Sequence, residues 1–275
     1  MEHASSTPPT AKHHRLYGGT ARYGTWIRPK RIAAFTISTL ACLAGMAVVG
    51  WPWLIPLGAL ALPLGYVTIV IGLTAWQFSA CGGDVQRRVH ALLAEAVAAR
   101  PGEAVLDVGC GSGALVVAIA RLQPTASIVG VDAWGADWQY SQRQAEHNVM
   151  IEGLGEQVSF ARHSASALPY RSAFDVLVSC LTFHEVRDAV SATDAVVASL
   201  DTLKAGGRFL LLDLFGSAKH YPSIESVRAA LENAGATVHE ARRLGEVIDL
   251  PFPLGITQAL GDAVLVTGIR MRSDG

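Results

Sequence analysis

The residues best suited to chemistry in this chain concentrate in Val105-Leu-Asp-Val-Gly-Cys-Gly-Ser-Gly113. Gly109, Gly111 and Gly113 stand at alternate positions after an apolar run, Ala104 to Val108, and before Ala114 to Arg121, which has the apolar spacing of a helix. Glycines there let backbone approach a ligand without interference from Cβ, and the free N–H groups of a helix N-terminus favour polar or anionic groups. Further on, Asp132 closes a second apolar run. A carboxylate at such a strand end is suited to accept both hydroxyls of a ribose. Together these are the first pieces of a nucleotide-binding α/β unit. His184-Glu185 adds a reactive group, because an unperturbed imidazole titrates near about pH 6.5 and serves as a general base. A cap on the following helix, or packing beside a ligand, explains His184 equally well, and Glu185 is the weaker of the two.

These residues need a sheet to hold them. From Asp84 onward strands and helices alternate. Val85, Val89, Leu92, Leu93, Ala96 and Val97 keep helical spacing, and Pro101-Gly102 ends that helix. The spacing then predicts strands at Ala104–Val108, Ser127–Val131, Val158–Ala161, Ala173–Ser179 and Gly207–Leu214. Helices fall between them at Ala114–Leu122, about Asp137–Ile151 and Ala189–Leu203. A helix near Ser223–Ala234 precedes two last strands, Thr237–Arg242 and Ala263–Ile269, which follow one another without a helix and suggest an antiparallel edge pair. The alternation implies a mostly parallel sheet covered on both faces.

The first third is of a different kind. Mean hydropathy over the chain is +0.32, too apolar for an ordinary soluble enzyme, and the excess lies between Ile32 and Gly83, where no charged residue occurs. Residues 1–31 look like a flexible basic leader, with Lys12, Arg15, Arg22, Arg28, Lys30 and Arg31 against Glu2. Ile32 to Gly50, at about 1.5 Å per residue, reaches roughly 28 Å, close to a bilayer core of about 30 Å. Trp51-Pro-Trp53 is expected to break the chain at the interface, and Leu54 to Trp76 supplies a second span kinked at Pro56 and Pro63. Residues 32–76 are thus expected to form a transmembrane hairpin, with a re-entrant or interfacial hairpin as the alternative, and residues 84–275 a separate domain. The basic leader and Arg87-Arg88 put both ends in the cytoplasm by the positive-inside rule. Net charge of -1 argues against a general nucleic-acid binder. Cys42, Cys81, Cys110 and Cys180 form no CxxC pair, so neither a disulfide framework nor a metal site is suggested.

The glycine loop alone also fits the loose dinucleotide fingerprint of dehydrogenases. With Asp107 ahead of it, and with Val129-Gly-Val-Asp132, Ala167-Leu-Pro-Tyr170, Phe174-Asp-Val-Leu-Val-Ser179 and Leu203-Lys-Ala-Gly-Gly-Arg208 in order, the chain from Glu95 to Arg270 resembles class I S-adenosylmethionine-dependent methyltransferases. Its closest flavour is the ubiquinone/menaquinone- and sterol-type small-molecule enzymes. The resemblance implies a Rossmann-like, seven-stranded sheet with helices on both faces, preceded here by two transmembrane helices. It also implies S-adenosylmethionine as cofactor, held by Asp107, Gly109, Cys110, Gly111, Ser112 and Gly113 around the methionine and ribose, with Asp132 on the ribose. Ala133 and Trp134 would lie beside the adenine, although Trp134, like Trp138 and Tyr140, serves equally as a core aromatic. Ser164 stands where the family often has an acidic residue for the adenine amine and would accept that bond more weakly, while Ala165 offers its N–H. Ser179 and Cys180 would end a strand toward the methyl donor, with His184 the weak catalytic candidate.

These readings lead to a membrane-anchored methyltransferase acting on a small, lipophilic acceptor. Late loops at His220-Tyr221 and Pro251-Phe-Pro-Leu254 are candidates for a substrate rim. Two rivals remain at this stage: a nicotinamide-dependent oxidoreductase, which lacks a Tyr-x-x-x-Lys pair, and a non-catalytic cofactor-binding sensor or scaffold.

Overall fold

The computed structural model describes residues 20–135, 140–257 and 259–271. Two long helices come first, α1 (Pro29–Val48) and α2 (Trp51–Phe78). Both are long and apolar enough to cross a membrane, with only 6% of each apolar window buried. The break falls at Val49-Gly50 rather than at Trp51-Pro-Trp53. Pro52 sits in the first turn of α2, where a missing N–H costs nothing. The two helices pack through small residues: Gly45 faces Leu57, Gly65 faces Thr39, and the Thr39 and Thr68 hydroxyls meet at 3.1 Å.

The remaining elements are α3 (Val85–Val97), β1 (Ala104–Val108), α4 (Ala114–Leu122), β2 (Ser127–Asp132), α5 (Gln142–Ile151), β3 (Val158–Arg162), β4 (Phe174–Cys180), α6 (Ala192–Ser199), β5 (Leu203–Asp213), α7 (Ile224–Asn233), β6 (Ala236–Arg243) and β7 (Val264–Arg270). The seven strands form one sheet in the order β3-β2-β1-β4-β5-β7-β6. β1 runs parallel to β2 and β4, with Val105 opposite Ile128 and Val176. β7 inserts antiparallel between β5 and β6, so the expected antiparallel pair lies at the sheet's end with β6 outermost.

Alternate side chains feed two cores, as the period of a strand dictates. Val105, Val176, Val178, Leu210 and Leu212 face α3 and α4, and Leu106, Leu177, Phe209 and Leu211 face α6 and α7.

Several boundaries differ from expectation. α6 is shorter than Ala189–Leu203 because Ser191 caps it, its hydroxyl accepting the Asp194 N–H at 3.1 Å, and a 3-10 turn at Leu200–Thr202 closes it. β5 starts at Leu203, passing a register shift opposite Phe174–Val176. α5 begins at Gln142, capped by Ser141. The helix start expected at Asp137, and Trp138, lie outside the described residues.

Residues 20–28, expected as part of a flexible leader, lie instead against the domain. Asn148, fully buried, accepts the Arg22 N–H at 2.8 Å and donates to the Arg22 and Ser112 carbonyls at 2.8 and 2.9 Å. The Ser112 hydroxyl donates to the Tyr23 carbonyl at 2.7 Å, and the Tyr140 hydroxyl to the Thr25 carbonyl at 2.6 Å. The strap therefore ties the start of α1 to the glycine loop.

Candidate functional site

A cavity of about 340 Å³ lies outside the C-terminal ends of β1, β2, β3 and β4, at the point where strand order reverses. Open α/β sheets bind ligands at that place, and the volume is within the roughly 300–1,000 Å³ of small-molecule sites.

The glycine loop forms its floor. The Gly109 and Cys110 N–H groups both donate to the Val131 carbonyl, at 2.7 and 3.1 Å, folding the loop back over β2. Gly109 has φ +80°, and a Cβ there would stand 1.9 Å from Thr182 Oγ1. No other residue fits. Gly113, φ +83°, is the N-cap of α4 and lies behind the wall rather than in it.

Asp132 holds this loop. Its Oδ2 accepts the Gly111 N–H at 2.9 Å and its Oδ1 the Trp134 N–H at 2.6 Å. The Trp134 indole N–H donates to the Gly111 carbonyl at 2.8 Å. Burial pushes the Asp132 carboxyl up, and the two backbone N–H groups pull it back toward ionisation. Each oxygen keeps a lone pair for a hydroxyl from the cavity.

Asp107 is the most unusual group in the wall. It is 1% exposed, and among the described residues its Oδ2 has no hydrogen-bond partner. Burial, with a smaller contribution from the Asp132 charge, raises its carboxyl to about 8. An orphaned carboxylate facing a cavity is complementary to a cation.

Of the residues expected to bind cofactor, Cys110, Gly111, Ser112, Ala133, Trp134, Ser164, Ala165 and Cys180 line the cavity with Asp107, Gly109 and Asp132. Burial raises both cysteine thiols, so neither is a thiolate. The Ser164 hydroxyl donates to Asp188 at 3.0 Å, and Asp188 also lines the cavity, bringing to the end of β3 a carboxylate that position 164 lacks. Ser179 is not in the wall. It is fully buried and donates to the Val108 carbonyl at 2.8 Å, tying β4 to β1.

His184 also lies outside the wall, contrary to its expected place at the site. Its Nδ1 meets Asp213 at 2.6 Å, and the same carboxylate accepts the Phe183 N–H at 2.7 Å. Burial lowers the His184 pKa, and Asp213 overcomes this so that the net shift is upward. This pair fixes the turn after β4, with the His220 ring 5.2 Å from His184. Its neighbour Glu185 does line the cavity, paired with Arg28 at 2.9 Å.

Sequence reasoning missed Trp26, Gln86 and His90, which form the wall nearest the helical hairpin. Trp26 precedes the two apolar helices and gave no signal. Gln86 and His90 did leave one: a polar pair four residues apart, beside Val85 and Val89 on a helix face that is otherwise apolar.

Residues 105–207 match the family described as "Methyltransferase domain". An uncharacterized methyltransferase of Synechocystis sp. is 30% identical over 143 residues, covering 52% of this chain and 58% of that protein. The chain spans less than two thirds of the length of each curated relative it matches. Among solved structures, the [4+2]-cyclase SpnF superposes with a TM-score of 0.54 at 19% identity, over 67% of this chain and 81% of that one. The geranyl diphosphate C-methyltransferase of Streptomyces coelicolor A3(2), solved with Mg2+, geranyl diphosphate and S-adenosyl-L-homocysteine, gives 0.52 at 14% identity, over 67% and 80%. These likenesses show the fold, Rossmann-like with a seven-stranded sheet.

Proposed function

We propose that this chain is an S-adenosylmethionine-dependent methyltransferase, anchored in a membrane by α1 and α2 and acting on a small, lipophilic acceptor. One observation carries the reading. The glycine loop, the strand-end carboxylate of Asp132 and the orphaned carboxylate of Asp107 line a single cavity. The cofactor is a ribonucleoside with a cationic methionine tail, and each part meets its complement there. Asp132 suits the ribose hydroxyls, Asp107 the cationic tail, and Trp134, Ala165 and the Asp188 carboxylate the adenine. When bound, the cofactor supplies an activated methyl group on a sulfonium, so the protein's task is chiefly to bring acceptor and donor into line and exclude water.

Anchoring is supported by the exposed apolar surface of the hairpin. Trp51, Trp53, Ile55, Leu62, Tyr66 and Ile69 are each more than 60% exposed. The basic residues before α1 and Arg87-Arg88 after α2 support a cytoplasmic domain and N-terminus. A hairpin also concentrates the domain at a surface where lipophilic acceptors dissolve.

Calorimetric titration of the full chain in detergent with S-adenosylmethionine and S-adenosylhomocysteine tests the cofactor reading. Micromolar binding is expected, weakened by about 1–3 kcal/mol in Asp132→Ala. A folded chain that binds neither compound refutes it. Transfer of labelled methyl to membrane extract, against soluble extract, tests the acceptor class, and label appearing only in water-soluble product refutes that part.

A further inference from the structure

We propose that Gln86, His90 and Trp26 form the acceptor subsite of this cavity, and that it takes an uncharged lipophilic molecule by a hydroxyl group. The inference rests on the methyltransferase reading for the identity of the neighbouring subsite.

Gln86 and His90 lie four apart on α3, on the same face one turn from each other. Both line the cavity while being only 6% and 8% exposed. Trp26 roofs them. Its backbone N–H donates to Gln86 Oε1 at 3.2 Å, and its indole meets the His90 ring edge-on at 5.3 Å. Among the described residues, the Gln86 amide N–H groups and both His90 ring nitrogens have no further hydrogen-bond partner. Nearly buried amide N–H and imidazole groups with no protein partner beside a cavity call for a ligand that pairs with them.

The chemistry of that ligand follows from theirs. Burial keeps the His90 imidazole neutral, its pKa lowered to about 4, so one ring nitrogen accepts and the other donates. The Gln86 amide adds a donor. A hydroxyl answers this set, giving its hydrogen to the imidazole and taking one from the amide. An anionic acceptor is opposed by the Asp188 carboxylate in the same cavity, whose pKa is lowered by the hydroxyls of Ser164 and Ser166. A cationic one finds no carboxylate on this wall, since Glu185 is held by Arg28. Apolar groups stand beside them: Trp26 packs on Phe78 at 5.2 Å, and Leu115 and Leu181 also line the cavity.

The wall is continuous with the hairpin. Arg28 is the N-cap of α1 and Phe78 ends α2, so the strap and both helix ends meet at this subsite. Gln77 reinforces the junction, its amide donating to the Phe252 carbonyl at 2.6 Å. An acceptor dissolved in the bilayer reaches this end of the cavity first.

The test is calorimetry on the full chain in detergent, with and without saturating S-adenosylhomocysteine, using 2-naphthol, naphthalene and 2-naphthoate as probes. The wild-type chain is expected to prefer 2-naphthol to naphthalene by about tenfold, in the range of a paired hydroxyl at a buried site. His90→Phe should remove that preference while leaving S-adenosylhomocysteine binding intact, and His90→Gln should restore part of it. Equal binding of naphthol and naphthalene, naphthoate binding as well as naphthol, or an unchanged preference in His90→Phe each overturns the subsite. Failures separate cleanly. A chain that discriminates naphthol through His90 but binds no S-adenosylhomocysteine keeps the subsite and loses the methyltransferase reading. One that binds S-adenosylhomocysteine without discrimination does the reverse.

Discussion

Replacing Asp107 by Asn keeps the shape of the side chain and removes its charge. In the fold this carboxyl is 1% exposed with an unpartnered oxygen, and it titrates at about 8 against an ordinary 3.8. The sign follows from proton linkage. Between those values the unfolded chain has released the proton and the fold still holds it, so stability falls as pH rises through that window and levels off above pH 8. At roughly 1.4 kcal/mol per pH unit the full effect is on the order of 5 kcal/mol. In a domain of this size that is about 10–20 °C in melting temperature, at 2–4 °C per kcal/mol. Melting curves followed by tryptophan fluorescence from pH 5 to 9, wild type against Asp107→Asn, isolate the term because every other titrating group is common to both. The variant should lose most of the slope and be the more stable protein at pH 9. A cation bound beside Asp107 favours the ionised form, so wild-type affinity for S-adenosylmethionine should rise with pH up to about 8, and Asp107→Asn should bind more weakly without that rise. Identical pH slopes in the two proteins refute the argument.

Three further outcomes follow from the same geometry. Gly109→Ala drives a Cβ into Thr182 at a φ of +80°, whereas Gly102→Ala, at φ +79°, meets nothing within 4 Å. Urea denaturation should show the first costing several kcal/mol, beyond the roughly 1 kcal/mol of backbone strain alone expected for the second. The raised His184 pKa means that the His184–Asp213 pair stabilises fully below the ordinary histidine value and loses that stabilisation as pH rises through the folded value. Asp213→Asn should therefore destabilise most at pH 5 and least at pH 9, with the NMR titration of His184 moving down. Asn148→Ala removes the side chain that joins the strap to the glycine loop and should cost about 2–4 kcal/mol, leaving buried backbone groups unpaired. Amide exchange at residues 22–26 should accelerate more than in the core of β1.

Much of the architecture was legible because its signals are local. The β1–loop–α4 unit is written in one contiguous stretch: an apolar strand, glycines where φ is positive, then a helical period. Asp132 is readable as the cavity's second carboxylate because it ends the strand paired directly with β1. The apolar helices show in composition alone, since no charged residue interrupts the run from Ile32 to Gly83. Boundaries were less legible where a single cap decides them, as at Ser191, or where a proline fits a first turn, as at Pro52.

The sequence by itself determined the fold class, the place of the glycine loop and the presence of a distinct apolar hairpin. Tertiary structure decided which side chains share the cavity. Trp26 and His90 lie far apart in the chain, with the hairpin between them, and no periodicity connects them; they meet because Asn148 and Ser112 hold the strap over α3. Conversely His184, close in sequence to the strand end, is turned from the cavity because the buried Asp213 carboxylate needs its ring nitrogen. Local pattern records what each segment buries, but the partner that satisfies a buried polar group is chosen only when distant segments are brought together.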